Sequence, residues 1–126
     1  MTIEEIERRF PGEYEEYDEN PAIHRVGGGE SGLQVAARLA ALVDELLGWW
    51  ETTNGDRTCV LVGHSSVNRV FLALVLDVPL PDYRRRFRQD WANLTVLEWP
   101  DRRSGPELVL GNDLSHTRGA VGVTWQ

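Results

Sequence analysis

The segment Thr58-Cys59-Val60-Leu61-Val62-Gly63 constrains the fold most, because its apolar run is unbroken and leads straight into His64-Ser65-Ser66. A short continuous apolar run bounded by turn residues predicts a strand buried on both faces, as in parallel sheets covered by helices. Helices must therefore flank it. Before it, Ser31-Gly32-Leu33-Gln34 reads as a capping box, with Ser31 as N-cap and Gln34 at the third helical position. Leu33, Ala36, Ala37, Ala40, Val43, Leu46 and Leu47 then recur at helical spacing, predicting a helix over 32–51 that stops near Asn54-Gly55. After it, Val67, Val70, Phe71, Leu74 and Val75 predict a second helix, ending before Pro79 and Pro81.

The remaining segments fit the same class. Thr2-Ile3-Glu4-Glu5 is another capping box and predicts a short helix over 3–9, closed by Pro11-Gly12. Residues 11–30 carry no clear period and read as irregular, ending in Gly27-Gly28-Gly29. A helix is expected over 82–88, then a strand over 94–99, a turn from Pro100 to Gly105, and a strand over 107–110. The pattern is an α/β layered fold, and 126 residues suit a single domain.

Composition removes several chemistries. All 13 basic side chains are arginine, so there is no lysine for a Schiff base, a pyridoxal anchor or a phosphate loop. The single cysteine, Cys59, allows no internal disulfide and no paired-cysteine zinc site, and its place in the run predicts a buried, inert thiol. The net charge of −7 is concentrated in residues 1–20, where eight acids face Arg8 and Arg9. An acidic chain lacks the basic stripe of a nucleic-acid binder. Arg84-Arg85-Arg86-Phe87-Arg88, flanked by Asp82 and Asp90, reads as a solvated helix face with local ion pairs, rather than a rim steering an anionic ligand. Trp49-Trp50 and Trp91 with Trp99 are expected in the core or at an interface. No apolar run of about 18 residues is present. The opening residues lack the features of a signal peptide, so a cytoplasmic location is expected.

Chemistry concentrates at Gly63-His64-Ser65-Ser66. In open α/β sheets ligands bind beyond the carboxyl ends of the strands, and a helix N-terminus there offers N–H groups and partial positive charge to an anion. Two chemistries compete for this turn. In the first, Gly63-His64-Ser65-Ser66-Val67 is a near match to a nucleophile elbow, with Ser65 as nucleophile and Asp90 or Asp113, then His116, following in order. Val67 stands where that elbow needs a small residue. In the second, His64 is the working residue.

The second reading is carried by several spaced motifs. Gly28-Gly29-Glu30-Ser31 opens a long helix, and Val60-Leu61-Val62-Gly63-His64 is followed by Asn68-Arg69. Further on come Tyr83 to Arg88, the stretch Gln89-Asp90-Trp91-Ala92-Asn93-Leu94-Thr95-Val96-Leu97-Glu98, and Gly111-Asn112-Asp113-Leu114-Ser115-His116. With the opening Thr2 to Glu7 and Phe10-Pro11-Gly12-Glu13-Tyr14, this resembles the histidine phosphatase superfamily, the phosphoglycerate-mutase-like enzymes, over nearly the whole chain. The resemblance implies a phosphoglycerate mutase-like layered sheet with helices on both faces.

In that family a first histidine, in an Arg-His-Gly motif, attacks the phosphoryl group. Two arginines and a second histidine hold its oxygens, and an acid protonates the leaving oxygen. His64 matches the second histidine. Ser65 stands where the family usually has glycine, and its N–H can still face a phosphate. Glu30, Ser66, Asn68 and His116 are candidates for the pocket rim. The resemblance implies no cofactor and no metal, and a small phosphorylated metabolite as substrate.

The Arg-His-Gly segment is absent, as are the second phosphate-binding arginine and the acid. The expectation is therefore a partial domain over 1–126 without its N-terminal strands, about 60 residues at roughly 30 per βαβ unit. His24-Arg25 follows Pro21 in an irregular stretch and reads as a loop pair, not a substitute nucleophile. Without the first strand, 59–63 would be an uncovered apolar edge, which recruits another strand. The partner expected there is a complementary N-terminal chain or, in a homodimer, a second copy. The alternatives are a non-catalytic phosphate-binding or interaction module of the same fold, and the Ser65 hydrolase.

Overall fold

A computed structural model of the chain describes residues 1–55 and 57–118. It resolves into two compact units, Met1–Arg57 with Pro79–Pro81, and Thr58–Val78 with Asp82–Gln126.

In the first unit, helix α1 (Ile3–Arg9) begins as expected. The Thr2 hydroxyl accepts from Glu5 N at 3.2 Å, and the Glu5 carboxylate accepts from Thr2 N at 2.7 Å. A second helix, α2 (Glu13–Glu19), occupies part of the stretch expected to be irregular. Three acids in its first turn favour the positive end of the helix dipole, and Tyr14 and Tyr17 contact each other one turn apart with ring centroids at 6.4 Å. Seven residues are too few to show a hydrophobic period.

Helix α3 (Gly32–Thr52) starts at the expected capping box, with the Ser31 hydroxyl accepting from Gln34 N. Its first amides are also used: Gly32 N donates to Pro21 O and Leu33 N to Ala22 O, both at 2.8 Å. That close approach requires glycine, since a Cβ at position 32 would lie 2.9 Å from Ala22 Cα. Ala22, Ser31 and Leu39 are buried here. Trp49 is 47% exposed, so this half of the tryptophan pair is not core.

In the second unit, helix α4 (Ser65–Val75) buries Val70, Leu72 and Ala73. The turn Leu80–Asp82 leads into α5 (Tyr83–Arg86), shorter than the expected 82–88, which packs on α4 and buries Tyr83. Asp82 pairs with Arg85 at 3.0 Å and Asp90 with Arg88 at 2.9 Å, the local ion pairs expected of the arginine run. Strands β1 (Leu94–Glu98) and β2 (Glu107–Asp113) pair antiparallel, from Leu94 opposite Asp113 to Glu98 opposite Glu107, with irregular register around Val96.

Helices and a sheet thus make a mixed α/β chain, but among the described residues the sheet has two strands. Residues 58–63 are not one of them. A strand exists through its ladder partners, and no described segment pairs with this one. Val60 is 80% exposed and Val62 96%, and Cys59 is exposed rather than buried. The expected strand buried on both faces is therefore not formed: among the described residues nothing covers the run, and its apolar side chains lie exposed. No helix among them is long and apolar enough to cross a membrane.

Candidate functional site

The turn into α4 is set by backbone geometry first. His64 is the N-cap residue in extended conformation (φ −96°, ψ 157°), and its carbonyl accepts from Asn68 N at 2.8 Å. No side chain caps this helix end, and the imidazole of its N-cap residue is exposed. The Asn68 carboxamide lies over the turn, its oxygen occupying the space where a Cβ at Gly63 would stand. His64, Ser65, Ser66 and Asn68 are thereby gathered at one helix start.

Ser65 is tied elsewhere. Its hydroxyl donates to the Gln89 carbonyl at 3.1 Å. A peptide carbonyl cannot take up a proton as a general base, so this geometry argues against the nucleophilic serine. Gln89 is itself buried, 6% exposed, and its Nε2 donates to Arg88 O at 3.1 Å and to Thr95 Oγ1 at 2.9 Å. Thr95 Oγ1 accepts from Asn112 N at 3.2 Å and donates to Asn93 Oδ1 at 2.9 Å. Asn112, in left-handed conformation (φ 47°), accepts from Asp90 N at 2.8 Å and donates from Nδ2 to the Asp90 carboxylate at 2.9 Å.

That last bond is the main reason the Asp90 carboxyl lies below its ordinary pKa; the Arg88 hydrogen bond is second, and the charge of Arg69 adds to it. Arg69, on α4 itself, has a buried Nε without a hydrogen-bond partner. Sequence reasoning assigned Gln89, Thr95 and Asn112 no role. Their links span 6 to 24 residues, and Asn112 beside Gly111 left one hint, a preference for left-handed backbone.

The other candidates have their own local partners. Glu30 belongs to the first unit, where its carboxylate accepts from Arg38 Nε at 2.9 and 3.2 Å; that bond holds its pKa low. Its charge is committed to Arg38. His116 is exposed on the turn Ser115–Thr117, and adds to the lowering of Asp113, which is held down first by hydrogen bonding from Ser115. His24 sits in a loop as expected, with Nδ1 3.7 Å from Glu16. Among the described residues no three His, Cys, Asp or Glu side chains gather as a metal site.

Chemically, an exposed imidazole and a helix start without a side-chain cap are groups suited to an oxyanion. Solved structures share this arrangement of the chain. It superimposes on one described as Mycobacterial hydrolase 1 with a TM-score of 0.69 and 30% identity, over 89% of this chain and 55% of that one. Mycobacterial hydrolase 2 gives 0.65 and 29%, over 89% and 52%. A mycobacterial glucosyl-3-phosphoglycerate phosphatase in its native form gives 0.65 and 29%, over 89% and 57%. The chain thus spans about half the length of these proteins. The sequence profile of the histidine phosphatase superfamily, branch 1, matches residues 1–113. A match running from the first capping box to the last residue of β2 decides the assignment: the chain belongs to the histidine phosphatase superfamily.

Proposed function

We propose that this chain contributes His64 as the second phosphate-binding histidine of a phosphomonoester hydrolysis or transfer, with the nucleophilic histidine supplied by a complementary polypeptide. The carrying observation is the exposed imidazole of His64 at the open start of α4, in a chain of this superfamily. A phosphoryl group in transfer spreads negative charge over three oxygens and needs several donors at once. The His64 imidazole N–H donates to one oxygen, and the Ser65 N–H and the helix pole serve another. Ser66 and Asn68 stand at the rim of that site. The attacking nitrogen and further positive donors belong to the partner.

The substrate class is a small phosphorylated metabolite, and the likeness to a glucosyl-3-phosphoglycerate phosphatase makes a sugar-linked phosphoglycerate the first compound to try. On this reading the reaction runs in the cytoplasm and without a metal. The exposed Val60 and Val62 support a partner chain, with a second copy of this chain as the other candidate.

The test is phosphatase activity on p-nitrophenyl phosphate and glucosyl-3-phosphoglycerate, for the chain alone and mixed with an Arg-His-Gly-bearing polypeptide encoded beside it. Activity is expected from the mixture, falling about 100- to 1,000-fold with His64→Ala, the loss typical of one oxyanion donor. An active mixture indifferent to that substitution would sink the reading. An inactive mixture that still binds phosphate would make the chain a binding module.

A further inference from the structure

We infer that Gln89 and Thr95 are positioning residues for His64, because a half-buried hydrogen-bonded relay from the β1–β2 pair fixes where helix α4 begins. This rests on the reading of His64 as a phosphate ligand.

The relay starts beside the histidine. Ser65, the next residue, donates its hydroxyl to the Gln89 carbonyl, an acceptor 24 positions away. That carbonyl is held still by its own side chain's surroundings. Both N–H donors of the buried Gln89 carboxamide are used, one on Arg88 O and one on Thr95 Oγ1. The Thr95 hydroxyl is in turn saturated, accepting from Gln89 and Asn112 N and donating to Asn93. On the other side, Asp90 is gripped by both ends of the Asn112 carboxamide. The peptide that receives Ser65 is thus clamped from β1 through Thr95 and from β2 through Asn112.

The strand irregularity belongs to the same device. Register shifts between Leu94 and Val96, and Asn112 N finds the Thr95 hydroxyl. Irregular pairing of this kind re-aims a side chain at the cost of local ladder regularity. The helix end has no side-chain cap, so its direction at His64 depends on the tie through Ser65. A ligand imidazole displaced by about 1 Å loses much of its value, which gives the relay a functional consequence.

The experiment is NMR on the full chain, reading the His64 imidazole during titration with inorganic phosphate and amide exchange at Asn68, whose N–H donates to His64 O. Thr95→Val and Ser65→Ala are each expected to weaken phosphate binding about five- to tenfold and to speed Asn68 exchange, the effect of one lost hydrogen bond. Thr95→Ser, which keeps the hydroxyl, restores both. A folded Thr95→Val chain with unchanged affinity and exchange overturns the inference. If Thr95→Val does not fold, Ser65→Ala decides, since it cuts the relay at the far end and leaves the strands intact. If phosphate leaves His64 unmoved even in the unsubstituted chain, the functional reading falls. The relay is then judged on Asn68 exchange: faster exchange in Ser65→Ala upholds it, and no change overturns it.

Discussion

Asp90 shows how a single carboxylate ties the turn to acid stability. Its pKa is depressed in the folded chain below the ordinary 3.8, first by the Asn112 hydrogen bond and then by Arg88. A depressed acid contributes stability that is present above its unfolded pKa and is lost as pH falls through its folded pKa. The affected window therefore opens near pH 4 and extends downward. Melting curves of the chain and of Asp90→Asn test this: the substituted chain melts lower at pH 7, and the gap closes progressively below pH 4. A gap independent of pH would remove the carboxylate from the account. The residues of this cluster were hard to see in the sequence for the same reason they are effective. Gln89 sits between Arg88 and Asp90 in a stretch that looks solvated, yet it is buried, because its partners arrive from β1. The position of His64 at the start of α4 was legible because the helical period of Val67, Val70, Phe71, Leu74 and Val75 follows it directly.

Elements were legible in proportion to how local their causes are. Both capping boxes form as read, since a Ser or Thr hydroxyl and a side chain three residues on need only each other. Ser31→Ala is accordingly expected to cost about 1 kcal/mol, within the range for N-cap losses, seen as a lower urea midpoint with unchanged slope. The exposed Thr2→Ala should cost less, because fraying of a seven-residue terminal helix disturbs little else. Equal losses at the two sites would mean that α3 gains nothing from Ser31 beyond the generic cap, despite the Pro21 and Ala22 carbonyls that also receive its first amides. Helix α2 escaped notice because its supports lie outside it: the Glu13 carboxylate accepts from Gly27 N at 2.7 Å, fourteen residues on. The run 58–63 failed in the opposite sense. Its composition is that of a covered strand, but composition cannot supply the neighbouring strand.

At the scale of the whole molecule the exposed apolar residues outweigh the buried ones among the described residues. Among the described residues the buried apolar set is small, Ala22, Leu39, Val70, Leu72, Ala73 and Tyr83, while Val60, Leu61, Val62, Leu108, Val109 and Leu110 are left 39–96% exposed. An isolated strand pair is marginal in water, and three or more strands with a covered face are the usual minimum for independent stability. Covering a valine or leucine side chain fully contributes about 1.5–3 kcal/mol, so even the run 60–62 alone is a substantial driving force for association. The two states of this surface predict the same stability for Val62→Lys alone and differ in its association. If 58–63 stays free, the substitution changes a side chain already 96% exposed, and the melting temperature should hardly move. If a complementary strand docks there, a charge is forced into a covered ladder. The chain by itself should then behave as before, while its binding to the complementary polypeptide weakens at least tenfold by sedimentation or titration calorimetry. Ser104→Lys, on the exposed turn between β1 and β2, is the matched control and should leave binding unchanged. Should Val62→Lys bind as tightly as the unsubstituted chain, the run is not the docking edge and the partner's contacts lie elsewhere. If it instead changes the mass of the chain measured alone, the strand covering 58–63 comes from a second copy.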